Sequence, residues 1–170
     1  MNTNPTIDDP TRGRIDVTTD GPTSRYLRPD VASRRILNPL LASLVRLGVG
    51  VRGGRILHVR GRTTGEWRTV PVNPLPLGGE RYLVAPRGRT EWVRNLRVAG
   101  TGRLQLGRRF EEFTVTEVDD ADKAPIIRAY LHAWAMETKR FFGDLDATSS
   151  DAEILAVAPG FPVFRIEPAT

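Results

Sequence analysis

Cysteine is absent from the 170 residues, which excludes disulfides, thiolate-bound zinc and a cysteine nucleophile. Histidine occurs only as His58 and His132, too few for a multi-histidine metal centre, and no metal site is expected. Lysine is as scarce, at Lys123 and Lys139, so nearly all positive charge is arginine. No apolar run approaches the roughly 20 residues that cross a bilayer. Residues 1–28 lack the hydrophobic core of a secretory signal, and their polar, Pro- and Gly-punctuated composition reads as a loosely ordered tail. A cytoplasmic protein is expected. Familiar catalytic patterns are missing too: the chain has no G-x-S-x-G elbow, no Walker loop and no identified general base. A chain built this way suits chemistry performed by a bound cofactor, with the protein supplying binding and orientation.

What is present describes an ordinary globular domain, 39% hydrophobic and 26% charged, long enough for one core over residues 29–170. The charge is unevenly spread. Residues 51–109 hold 13 arginines against Glu66, Glu80 and Glu91, whereas residues 110–170 hold 12 acids against five basic residues. The basic middle could receive an anion. Nucleic acid is not the expected partner despite a pI near 10.4, because neither an aromatic-studded strand motif nor a helix-turn-helix pattern accompanies the charge.

The hydrophobic pattern changes period along the chain. Ile36, Leu37, Leu40, Leu41, Leu44 and Val45 recur at near-helical spacing, predicting an amphipathic helix over about 31–48. It is expected to pack on the domain, with peripheral membrane contact as the alternative, given Arg34, Arg35 and Arg46 beside it. From Arg55 onward, short strand-like segments follow: "RILHVRG", "RTVPVNPLPL", "ERYLVAP", "GRLQLG", "RRFEEFTVTEV" and "FPVFRIEP". The prolines of the second suit an edge or bulged strand. Six strands with close turns imply a small barrel or a coiled antiparallel sheet. Helices are predicted over "TEWVRNLRVAG", capped by Thr90 and stopped by Gly100, over "DADKAPIIRAYLHAWAMETKRF", and over "DAEILAVA".

Two clusters could carry chemistry. Leu83-Val84-Ala85 ends a strand, "PRGR" forms a loop and Thr90 opens a helix, a junction whose free N–H groups favour anions. On that helix Trp92, Asn95, Leu96 and Ala99 share one face, where the Asn95 amide needs a partner. A neighbouring strand end would serve as well as a ligand. The second cluster is "GRTTGEWRTVP", residues 61–71, in which Gly61 and Gly65 bracket a tight turn. Arg62, Thr63, Thr64 and Arg68 place anion-binding donors around it.

Taken in order, "GRTTGEWRTVPV", "ERYLVAPRGRTEWVRNLRVAG", an acidic helix, "RFF" and "APGFPVFRI" resemble the deazaflavin (coenzyme F420)-dependent nitroreductase and quinone-reductase family. The resemblance spans about Asn38 to Ile166. It implies an α+β fold, a six-stranded antiparallel split β-barrel like that of pyridoxamine-phosphate oxidases, with flanking helices. It implies hydride transfer from F420H2 to a small electron-poor acceptor such as a quinone, enone, nitro compound or lactone. Arg62, Thr63, Thr64, Arg68 and Pro71 would then line the cofactor site. Val84, Ala85, Pro86, Arg87 and Gly88 would wrap its phosphate or ring edge, and Trp92 and Asn95 would hold the deazaflavin end. Tyr130 would be the proton source. Two positions depart from many relatives, Thr63 where a lysine is common and Pro86-Arg87 where Ser-Lys is common. Those departures keep alternatives open: FMN or FAD in place of F420, or the same barrel serving as a binding protein or a non-redox biosynthetic enzyme.

Overall fold

Side chains along Arg55–Arg60, the first strand (β1), alternate between two faces of the sheet, with Ile56 buried on the face opposite Leu57. Leu57 and Val59 point inward, while His58 and Arg60 point out. The computed structural model describes residues 53–169; the tail expected over 1–28 and the helix expected over 31–48 lie outside them. Six further strands follow: β2 (Trp67–Val72), β3 (Leu75–Leu77), β4 (Glu80–Val84), β5 (Thr101–Leu106), β6 (Arg109–Glu117) and β7 (Val163–Pro168). They form one antiparallel sheet in the order β2-β1-β5-β6-β7-β4-β3.

That order dictates curvature. β2 and β3 lie at opposite edges of the sheet, yet only Asn73 and Pro74 separate them in sequence. Three Cα steps of about 3.8 Å reach no more than about 11 Å. The two edges must therefore approach each other, and the sheet curls into a half-barrel. The segment "RTVPVNPLPL", expected as one strand, breaks at Asn73-Pro74 and gives seven strands rather than six. Its prolines sit where the ladder tolerates a missing N–H, since Pro71 and Pro76 both lie on edge strands.

Inside the curl, Leu57, Val59, Leu83, Leu104, Phe113 and Phe164 form one core. Helix α1 (Glu91–Ala99) caps it with Val93 and Leu96, both fully buried. Thr90 precedes this helix in extended conformation, and Gly100 ends it at φ 65°, its N–H bonded to the Leu96 carbonyl. On the other face, Tyr82, Val84 and Val163 pack against α2 (Lys123–Ala133), α3 (Ala135–Phe142) and α4 (Asp151–Val157). The long helix expected from Asp120 onward is thus two helices broken at Trp134, whose ring packs on Tyr130 with centroids 4.9 Å apart. The apolar stripe itself is as expected: Ile126, Ile127, Tyr130, Leu131 and Trp134 are buried and His132 is exposed.

The uneven charge also has a structural counterpart. Acids of β6 pair with arginines from elsewhere in the barrel: Glu111 with Arg81, Glu112 with Arg103 at 2.9 Å, and Glu117 with Arg97 at 2.6 Å. Arg81 grips Glu111 through both terminal nitrogens, which holds the carboxyl below the usual glutamate value of 4.5. A depressed folded pKa contributes stability that is complete above the unfolded value and lost as pH falls through the folded one. The Glu111 side chain is 43% exposed, so screening keeps this contribution small. Thermal melts between about pH 7 and 3 should show a shallower acid decline for Glu111→Gln than for the wild type. Parallel curves would remove this pair from the acid response.

Candidate functional site

The turn between β1 and β2 is closed by its own backbone. Gly61 N–H donates to the Glu66 carbonyl and Gly65 N–H to the Gly61 carbonyl, each at 2.8 Å. Gly65 takes φ 68°, a conformation side-chain-bearing residues rarely adopt. This tight turn presents Arg62 to helix α1, 33 residues away in sequence. There the Arg62 backbone N–H and its Nη1 donate to Asn95 Oδ1 at 3.2 and 3.0 Å, and Nη1 also reaches Glu91 Oε2 at 2.7 Å. Because both partners of Asn95 Oδ1 are donors, the amide orientation follows. Its Nδ2 makes no hydrogen bond among the described residues. The hydrogen bond to Arg62, aided by the charges of Arg62 and Arg94, holds Glu91 below its usual pKa.

The two sequence clusters therefore meet, but the predicted residues are placed unequally. Thr63 and Thr64 are exposed on the turn, where Thr64 Oγ1 accepts from the Glu66 N–H. Arg68 is exposed and paired with Glu66 at 3.1 Å. Pro71 stands opposite Ile56, four register steps past the Arg60–Trp67 pair and roughly 13 Å along the strand. Val84 and Ala85 are buried, Val84 toward the helices and Ala85 toward the barrel core, so backbone is what they can offer a ligand. Pro86 and Arg87 are half-buried, and Gly88 turns the loop at φ 74°. The Arg87 guanidinium lies 5.3 Å from the Phe141 ring centre. Trp92 leans on Phe164, 6.0 Å between centroids.

Tyr130 sits in the helical layer, 5% exposed, in the same apolar cluster as Val84 and with its ring against Trp134 and Phe142. A surface cavity of about 650 Å³ between β3 and α2 is lined by Leu75, Ala129, His132 and Trp134, among others. None of the turn, loop or α1 residues lines it, so size alone does not mark the site.

Sequence reading underrated two residues at the start of α1. Arg89 Nε and Thr90 Oγ1 are buried and lack a hydrogen-bond partner among the described residues. Thr90 does not cap its own helix, so the first-turn N–H groups lack a side-chain partner there. Unpaired buried donors are costly, and a group bearing phosphate or carboxylate oxygens would satisfy them. The residues present thus fit a cofactor with an anionic tail. Glu91 and the Arg87–Phe141 contact were also missed, because no spacing rule joins segments so far apart.

Together, the curled antiparallel sheet, the helix plugging its interior and the outer helical layer make a split β-barrel of the pyridoxamine-phosphate-oxidase-like kind. The family model described as F420H(2)-dependent quinone reductase matches residues 42–142, and the chain belongs to that family. This membership supports an F420-type cofactor class and oxidoreductase chemistry on a small molecule. Among solved structures, an F420-H2 dependent reductase (FDR-A) is 19% identical with a TM-score of 0.47, covering 68% of this chain and 95% of that one. HutZ, a heme storage protein of Vibrio cholerae, is 11% identical with a TM-score of 0.49, covering 76% and 91%. A protein of unknown function from Agrobacterium tumefaciens str. C58 is 11% identical with a TM-score of 0.50, covering 86% and 59%. Among curated proteins, nothing matches. No described helix is long and apolar enough to cross a membrane.

Proposed function

We propose that this protein is an F420H2-dependent reductase that passes hydride to a small electron-poor acceptor such as a quinone, enone, nitro compound or lactone. The observation that carries the reading is the junction of turn and helix through Arg62 and Asn95, flanked by the unpaired buried donors of Arg89 and Thr90. When bound, the reduced deazaflavin supplies a hydride, the two-electron equivalent that the acceptor takes up. The chain's own part is to bind, orient and protonate. Asn95 Nδ2 offers donors to the ring end. The loop Val84–Gly88 offers backbone groups and the Arg87 guanidinium. Arg89, Thr90 and the α1 N-terminus neutralise the acidic tail, and the turn with Arg62, Thr63, Thr64 and Arg68 adds positive charge beyond it. Pro71 would touch the ligand only if it extends along β2. Tyr130 is the proton donor in this reading, its ring held by Trp134 and Phe142, which limits the directions its hydroxyl can take.

Fluorescence titration with F420 and with FMN, followed by oxidation of F420H2 against a panel of quinones and enones, tests the proposal. Micromolar F420 binding and acceptor-dependent oxidation are expected. Arg89→Ala should weaken F420 binding by about tenfold, as for loss of a hydrogen bond to a charged group. Tyr130→Phe should lower turnover while leaving cofactor affinity unchanged. Preference for FMN, or no binding of either, would refute the assignment.

A further inference from the structure

The Arg62 side chain reaches helix α1 from the β1–β2 turn and is held there by a single nitrogen of its guanidinium. Nη1 donates to Glu91 Oε2 at 2.7 Å and to Asn95 Oδ1 at 3.0 Å, and the Arg62 backbone N–H adds a third bond, to the same Asn95 oxygen. Glu91 is itself tied down, because its other oxygen, Oε1, accepts from Arg94 Nη1 at 3.2 Å. Glu91 and Asn95 are four residues apart on α1, so they clamp Arg62 from one face of the helix. Both Nη1 hydrogens are spent in the clamp. Nε and Nη2, the other edge of the guanidinium, have no partner among the described residues, and the side chain is 35% exposed, within reach of a ligand. Arg97 shows what that edge does when it meets an oxoanion: its Nε and Nη2 grip the Glu117 carboxylate at 2.7 and 2.6 Å. Two guanidinium groups, of Arg62 and Arg94, face the one carboxylate of Glu91, which leaves the cluster positively charged.

We propose that Glu91 is a positioning residue, which fixes Arg62 so that its Nε–Nη2 edge receives an oxoanion of the bound cofactor through two parallel hydrogen bonds. This rests on the reductase reading, which puts the turn beside the cofactor. By charge alone the carboxylate is a disadvantage, since a negative group next to an anion site repels the ligand. What it contributes is order. An unattached arginine loses much rotamer freedom when it closes on a ligand, and an arginine already clamped loses less. The planar fork then meets two oxygens of a phosphate or carboxylate at once. Repulsion and order act in opposite directions on affinity, so the role can be read from the sign of the change.

The test is F420 titration of the full chain and of its E91A and E91Q variants. Loss of the charge alone would tighten binding. Loss of the anchor should outweigh it, so E91A is expected to bind F420 about fivefold more weakly than the wild type, the cost of ordering one long side chain. Glutamine keeps an acceptor for Nη1 and drops the repelling charge, so E91Q should recover at least the wild-type affinity. In an R62A background, E91A should no longer weaken binding, because Glu91 acts through Arg62. The Glu91 side chain is 64% exposed, so both variants should melt close to the wild type. Tighter binding by E91A, equal losses in E91A and E91Q, or a loss that persists without Arg62 would each overturn the proposal. Inorganic phosphate separates that failure from failure of the reductase reading. Melts in millimolar phosphate against chloride at equal ionic strength should show a stabilisation of the wild type that shrinks in E91A. Such a phosphate response without F420 binding keeps the clamp and removes the reductase reading. Neither phosphate response nor F420 binding removes both.

Discussion

Asn95→Ala is expected to lower both stability and cofactor affinity. Asn95 is 5% exposed and its Oδ1 receives both the backbone N–H and the guanidinium of Arg62. Alanine would strand those donors in a partly buried junction, a loss of about 2–3 kcal/mol. For a domain of this size that corresponds to a fall in Tm on the order of 10 °C. Asn95→Asp separates the structural role from the binding role. An aspartate can still accept from Arg62, so the fold should melt near the wild-type temperature. It has no donor for a ligand and places a negative charge beside the proposed anion site, so F420 binding should weaken by more than about tenfold. Normal F420 binding by the aspartate variant would show that Asn95 is a purely structural residue.

Gly102→Val should be the most damaging single change in the barrel interior. Gly102 lies opposite Phe113 in the β5–β6 ladder. A Cβ there would sit 2.7 Å from Phe113 Cζ and 3.1 Å from the His58 carbonyl oxygen. Neither neighbour can yield easily: Phe113 is fully buried, and the His58 oxygen is backbone of the adjacent strand. Overpacking of this kind costs about 1–3 kcal/mol, and valine belongs at the upper end. Urea unfolding should show a lower midpoint with an unchanged slope. Phe113→Leu removes the nearest clashing atoms, so the double variant should be less destabilised than the sum of the two single ones. Additive losses would mean that the clash is relieved elsewhere.

Local signals served the fold well where local physics decides. Gly100 ends α1 as expected, through a backbone bond within a few residues, while Thr90 precedes the first turn without the side-chain cap expected of it. The stripe from Ile126 to Trp134 is buried as its period implied, and Pro71 and Pro76 lie on edge strands. The same local reading merged β2 with β3, since nothing in "RTVPVNPLPL" announces that its halves belong to opposite edges. It also joined α2 to α3, since a break at Trp134 comes from where that ring packs. The family resemblance rested on motifs the sequence carries in order, and the matching family model covers the same central stretch.

Of the candidate site, the sequence supplied the parts: an amide on an apolar helix face, a glycine-bracketed turn and a loop rich in arginine. Which parts touch was decided only by the curled sheet. Asn95 needed a partner, and the fold brought Arg62 to it across 33 residues. Arginines that looked equivalent in sequence became unlike one another, as Arg81, Arg97 and Arg103 met carboxylates, Arg89 kept a buried Nε without a partner among the described residues and Arg87 met an aromatic ring. Composition, periodicity and capping are properties of neighbours along a chain, so sequence alone determined the main elements, and the motifs in their order carried the family resemblance. Pairing of charges and donors depends on the sheet order that folds residue 62 onto residue 95, and only the tertiary structure holds that order.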